Sequence, residues 1–246
     1  MVRVKDGILF VKEWLQCFEK LVDEIVVVDN GSTDGTFEIL KQHPKIVDII
    51  QTEGFDEGRD KILVYNMARK RNPDWCLWLD IDEIFEEEMT RECLNSLMSQ
   101  SIYNKASFRR FHFSTSNRFA ASIFWLLYSA NHDRYLWRES SQGYFLDSKI
   151  DNGLIQGIAG KTIRTSFRLK HLGYINKAIV DRKASIYRSV VPEKERTFEK
   201  MYLEGVKSRA WVSNRKSLPF KIHNIEMEFW LLGYFIKRAF QKIFIR

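Results

Sequence analysis

Two aspartates separated by a single residue, Asp80 and Asp82, follow the apolar run WCLWL at 75–79, and Glu83 comes directly after them. Alternate residues of an extended segment point the same way, so the two carboxylates can converge on one ligand. Hard oxygen donors at the end of a buried strand suit Mg²⁺ or Mn²⁺ that also holds a phosphate. Burying adjacent carboxylates without a cation is costly. The competing reading is a charged cap on a helix begun by EIFEEEM, because acids favour the positive helix end. Glu86, Glu87 and Glu88 are assigned to that cap.

A second acid closes a second apolar run, in VVVDNGSTDGT at 26–36. Asp29 can accept hydrogen bonds from a ribose or a base edge, with Asn30 beside it. Ser32 and Asp34 lie where a turn passes into a helix start, and Ser32 or Thr33 reads equally well as a plain N-cap. Neither a Gly-Lys-Ser/Thr loop nor a GxGxxG fingerprint is present, which leaves phosphate handling to the metal. In open parallel sheets, ligands bind beyond the carboxyl ends of the strands. Two strand ends carrying acids therefore point to one ligand site.

The elements that must position these residues alternate. ILFVKEWLQCFEKLV (8–22) has helical spacing of Ile8, Val11, Trp14 or Leu15, Phe18 and Leu21 or Val22. EIVVVDN reads as a strand buried on both faces, then a helix to Pro44, a strand over 45–51, a helix to about Arg71, and a strand over 75–85. This alternation predicts an α/β chain with a doubly wound, mainly parallel sheet flanked by helices. Only MVRVK precedes the first helix, so the opening strand is very short or the frame begins upstream. Residues 102–160 are less regular, with strands expected at 106–113 and 134–138, and helices are expected at 193–211 and 221–244.

At 246 residues, 45% hydrophobic and 14% aromatic, the chain can bury a sizeable core. Disordered, collagen-like and disulfide-scaffold classes are excluded. Cys17, Cys76 and Cys93 are too far apart for a metal knuckle and read as small buried residues. The net charge of +7 is uneven: 19 Lys and Arg face 25 Asp and Glu in residues 1–160, against 20 and 7 in residues 161–246. The start lacks a signal-peptide pattern and no apolar run is long enough to span a bilayer, so a cytoplasmic protein is expected. The apolar stripe of 221–244 fits core packing or contact within a homo-oligomer. Its aromatics beside basic residues also fit an anionic membrane surface contacted through 221–246. The basic back invites a nucleic-acid module as an alternative, but no such motif is recognisable.

In combination, IVVVDNGSTDGT and DWCLWLDIDE resemble glycosyltransferase family 2, on the GT-A fold. The resemblance implies a catalytic domain over 1–190, with a nucleotide-sugar half at 1–100 and an acceptor half at 101–190. A basic helical extension is expected over residues 191–246. The resemblance also implies a nucleoside-diphosphate sugar donor held by Asp29, Arg59 and Asp80, with Asp82 as the direct metal ligand, and Asn30, Ser32 and Asp34 of the turn after Asp29 are further candidates for binding that donor. HLGYINKAIVDRKASIYR (171–188) resembles the C-terminal motif of a subgroup, which makes His171 a third metal ligand beside Asp80 and Asp82. Imidazole favours Mn²⁺ over Mg²⁺. Lys183 reads as a neutraliser of the diphosphate or as part of a solvated basic face. An inverting transfer to a glycan or lipid-linked acceptor needs a carboxylate base; Asp151 is the first choice and Glu139 the second. An Asp-x-Asp also marks phosphoryl-transfer enzymes of haloacid dehalogenase type, although those place it after their first strand.

Overall fold

The computed structural model describes residues 1–121, 134–149, 154–190 and 207–213, together with Phe229 and Leu232. Three parallel strands open the chain: β1 (Val2–Val4), β2 (Ile25–Asp29) and β3 (Ile46–Gln51), in that spatial order. The short first strand expected from MVRVK is thus present. Helix α1 (Val11–Phe18) joins β1 to β2, α2 (Thr36–Lys41) joins β2 to β3, and α3 (Glu57–Arg69) leads on to β4 (Trp75–Leu77). The Met1 amine donates to Leu77 O at 2.9 Å, which ties β4 to the β1 side.

Why β2 is apolar without interruption is visible in its two faces. Ile25 and Val27 pack on one side with Val11, Trp14 and Phe18 of α1, while Val26 and Val28 pack on the other with Val64, Tyr65 and Ala68 of α3. Period-two alternation across a sheet covered on both faces needs apolar residues at every position. The next strand run repeats the pattern, with Leu77 and Leu79 on the α1 side and Cys76 and Trp78 on the α3 side.

The second half is built around β6 (Tyr103–Thr115). β7 (Arg118–Ala120) and β8 (Arg134–Arg138) pair with it antiparallel, and β9 (Lys161–His171) pairs with it in parallel. β4 continues the sheet from β8, and β5 (Glu83–Phe85) adds to β9. Helix α4 (Arg91–Met98), capped by the Thr90 hydroxyl, precedes β6, and α5 (Lys177–Val190) follows β9. The expected strands at 106–113 and 134–138 are both there.

Three local expectations fail for identifiable reasons. The run 75–85 is not one strand but β4 and β5 with a turn at Ile81–Asp82 between them, closed by Glu83 N donating to Asp80 O at 3.0 Å. EIFEEEM does not begin a helix. Glu83–Phe85 is pulled into a strand by antiparallel pairing with Leu169–His171, and tertiary pairing overrides a local acid-rich signal. Residues 208–210, placed in a helix by their sequence, form the short strand β10 (Ser208–Ala210) on β7. The rest of the expected helix at 193–211 lies outside the described residues, apart from 207 and 211. So does 221–244, apart from Phe229 and Leu232, which are helical and exposed. No helix among the described residues is long and apolar enough to cross a membrane.

Candidate active site

The carboxyl ends of β1 and β2 are bound together by polar side chains. Asp29 is fully buried, and its Oδ1 accepts from Ser32 N at 2.6 Å and from Gln51 Nε2 at 3.3 Å. Its Oδ2 is buried without a hydrogen-bond partner. A buried acceptor left unmet costs about 1–3 kcal/mol, and a ligand donor would relieve that. Ser32 and Asp34 knit the loop rather than cap α2 in the usual way. The Ser32 hydroxyl accepts from Asp6 N at 2.7 Å, while Asp34 accepts from Ile8 N at 3.0 Å and from Thr36 N at 3.1 Å. Gly35, at φ +92, makes the turn into the helix, where a side chain would be strained.

Asn30 and Arg59 converge on a residue that the sequence reading missed. Asp60 is fully buried and accepts from Asn30 Nδ2 at 3.0 Å, Thr52 Oγ1 at 3.0 Å and Arg59 Nε at 2.9 Å. The other guanidinium nitrogens of Arg59 donate to Glu53 O and Gly54 O, each at 2.8 Å. Arg59 thereby fastens the 53–54 loop beside Asn30. The visible signal was the Arg-Asp dipeptide at the start of a helix.

Strand register assembles the second cluster. His171, the last residue of β9, stands opposite Glu83 on one side and opposite His112 of β6 on the other. Leu172 N then donates to Asp82 O at 2.8 Å. His171 Nε2 lies 3.5 Å from Asp82 Oδ2, and Lys183 Nζ of α5 donates to that same oxygen at 2.6 Å. Burial alone would raise the Asp82 carboxyl, yet Lys183 and His171 outweigh it and hold it well below the carboxylate range. Burial likewise lowers the Lys183 ammonium, and Asp82, Tyr174 and Asp80 reverse that into a net rise.

Two residues complete this cluster without having been foreseen. The Nδ1 atoms of His112 and His171 are 2.8 Å apart, so one donates to the other and the ring of His171 is fixed. Gly173 faces the junction: a methyl group there would overlap Asp82 Oδ2 and Lys183 Nζ and stand 3.0 Å from His171 Nε2. Asp80, half-buried on the adjoining turn, has its N–H held by Glu83 Oε2 at 3.1 Å, and Glu83 Oε1 accepts from Arg110 at 3.0 Å.

Of the two acid candidates for proton removal, Glu139 is not brought here. Glu139 accepts from Tyr65 at 2.8 Å and pairs with Arg69 at 3.1 Å, and its N–H donates to Asp74 O. That places it at the amino end of the strand run that Asp80 and Asp82 close. Asp151 lies outside the described residues. Glu86 and Glu87, read as helix-cap acids, are instead partners of β9: Glu86 is buried against Arg168, and Glu87 meets Lys170.

Layered sheets flanked by helices, with acids closing β2 and following β4, agree with a fold of GT-A type. The chain belongs to Glycosyl transferase family 2, whose sequence profile matches residues 9–163, more than half of its length. Uncharacterised proteins of Mycobacterium bovis and Mycobacterium tuberculosis are each 32% identical over 75 residues, 27% of this chain. The match spans only 18% of those mycobacterial proteins. Crystallised S. aureus TarS aligns at a TM-score of 0.50 and 13% identity, over 82% of this chain and 42% of that one, a likeness of fold. TarS 1–349 in complex with UDP aligns at 0.49 and 14%, over 83% and 69%.

Proposed function

We propose that this chain transfers a sugar from a nucleoside-diphosphate sugar to an acceptor hydroxyl, assisted by Mn²⁺ or Mg²⁺, by a single inverting displacement. The observation that carries this reading is the convergence of Asp82, His171 and Lys183 around Gly173 at the end of the strands. An oxygen donor and an imidazole side by side fit a divalent ion that fills its remaining positions from phosphate. Asp80 is the third candidate ligand on the adjoining turn. Among the described residues no ready-made group of three His, Cys, Asp or Glu is set for a metal, so phosphate oxygens would have to complete the shell. When bound, such a cation supplies Lewis-acid relief of charge on the departing diphosphate.

The chain's own residues do the rest. The unmet Oδ2 of Asp29 accepts from the ribose or base of the donor. Asn30, Ser32, Asp34 and Arg59 hold the two loops that frame that nucleoside. Lys183 offers positive charge to the diphosphate. The acceptor oxygen forms its bond to the anomeric carbon as the bond from that carbon to the diphosphate oxygen breaks. Its proton passes to a carboxylate, for which Asp151 is the proposed residue, since Glu139 is tied to Tyr65 and Arg69 elsewhere. A lipid-linked or glycan acceptor at an anionic cytoplasmic membrane surface fits the charge of residues 161–246.

A thermal-shift panel of uridine, guanosine and thymidine diphosphate sugars with and without Mn²⁺ tests this. One donor should raise Tm by roughly 5–10 °C at a hundredfold excess over Kd, only with the metal, and Asp82→Asn should lose the shift. Asp151→Asn should keep that shift and lose transfer. Absence of any nucleotide-dependent shift or transfer in the wild-type chain overturns the reading.

A further inference from the structure

The carboxylate expected to take the metal already has a cation. Lys183 Nζ donates to Asp82 Oδ2 at 2.6 Å, and that oxygen is also the one nearest His171. Asp82 is buried, and without a positive partner its charge would be costly there. Lys183 therefore keeps the donor-free protein electrically satisfied. Gly173 shows how little space the junction holds, since a single methyl group overlaps both the carboxylate and the ammonium. An ammonium and a divalent ion placed together at that point would also repel one another strongly. Lys183 can leave: its side chain keeps 27% of its surface exposed, and a lysine stem has four rotatable carbons. Around it stand Asp82, Asp80, His171 and the Tyr174 ring, whose centroid is 5.8 Å from Nζ.

We propose that Lys183 and a divalent cation are alternative occupants of Asp82. In the donor-free chain the ammonium closes the carboxylate. When the cation arrives, Lys183 is released from Asp82 and becomes available to the diphosphate. This inference rests on the metal-assisted reading above, and it adds an order of events to that reading: the site is locked by its own lysine until the metal displaces it, and the freed lysine then meets the diphosphate.

Two measurements on the full chain test it. The first is amine acylation read by peptide mass spectrometry, with exposed Lys12 as the internal reference. Lys183 should react slowly in the donor-free protein, approach the rate of Lys12 when Mn²⁺ alone is added, and become protected again when UDP or GDP joins the Mn²⁺. The second is Mn²⁺ uptake followed by electron paramagnetic resonance, where Lys183→Met should bind the ion about tenfold tighter or more. Mn²⁺ binding to the wild-type chain with no change in Lys183 acylation overturns the exclusion while leaving the metal reading intact. Failure of both wild type and Lys183→Met to bind Mn²⁺, with or without the nucleotide, removes the metal reading and this inference together. The acylation arm uses the wild-type chain, so it stands even where Lys183→Met folds poorly.

Discussion

Gly173 shows how one residue can govern a site without touching a ligand. Its missing side chain leaves the space in which Asp82, Lys183 and His171 meet. The atoms that an added methyl group would meet there are mostly tips of side chains, and the Lys183 tip can swing aside. Gly173→Ala should therefore push Lys183 off Asp82 and cost the fold about 3–5 kcal/mol, because the buried carboxylate loses its partner. The expected outcome is a circular dichroism spectrum like that of wild type, with the nucleotide-dependent thermal shift lost. An undiminished shift in Gly173→Ala would show that the junction is not where the ligand binds. Of this cluster, Asp82, His171 and Lys183 were legible as residue types in meaningful contexts. Gly173 and His112 were not, because their importance lies in what stands opposite them, 59 residues away for the His112–His171 pair.

At the scale of elements, β5, β6 and β9 are joined by buried ion pairs as well as by their ladders. Glu83 pairs with Arg110, and Glu86 with Arg168, whose guanidinium carbon also lies 3.9 Å from the Trp211 ring centroid. These pairs orient the turn carrying Asp80 and Asp82, since Glu83 reaches back to the Asp80 N–H. Removing one partner of a buried pair leaves an uncompensated charge and costs about 3–5 kcal/mol. Arg168→Ala should show that loss in urea denaturation. Glu83→Gln, which keeps shape and a hydrogen bond, should cost less stability but lower the affinity for the nucleotide sugar, as read by titration calorimetry. Equal loss of both in the two variants would argue that Glu83 does nothing beyond holding β5 to β6. The acids at 86–88 looked local in sequence and misled for that reason. The partners of Glu86 and Glu87 sit on β9, some eighty residues on.

Across the whole molecule, two cysteine thiols are set to make stability depend on alkaline pH. Burial pushes Cys17 from 9.0 up to about 11, and burial with the Glu139 charge pushes Cys76 up to about 12. Both are free thiols, and Cys76 is buried in the α3-side core. Above pH 9 the unfolded chain loses these protons and the folded chain keeps them. The folded state then binds more protons, and stability falls as pH rises. Their contribution is full below pH 9 and is lost through about 11 and 12. Thermal melts from pH 8 upward should show a declining Tm, and Cys76→Ala should make the decline shallower. The same burial predicts slow alkylation of Cys76 by iodoacetamide in the native protein.

The order of elements, the layered α/β arrangement and the acids that end its strands were determined by the sequence alone. Each depends on short-range regularity: apolar runs with period two, helical spacing, turn clusters, and carboxylates adjoining buried strands. The N-terminal half is built from such local units, and it was read nearly intact. Tertiary structure decided what those acids meet. Only strand register puts His171 between Glu83 and His112, and only the approach of α5 brings Lys183 onto Asp82, 101 residues away. Only pairing with β9 turns EIF into a strand and makes Glu86 and Glu87 ion-pair partners. Charge–charge contact falls off with distance in space and not along the chain. The groups that set the state of Asp82 therefore had to await the fold.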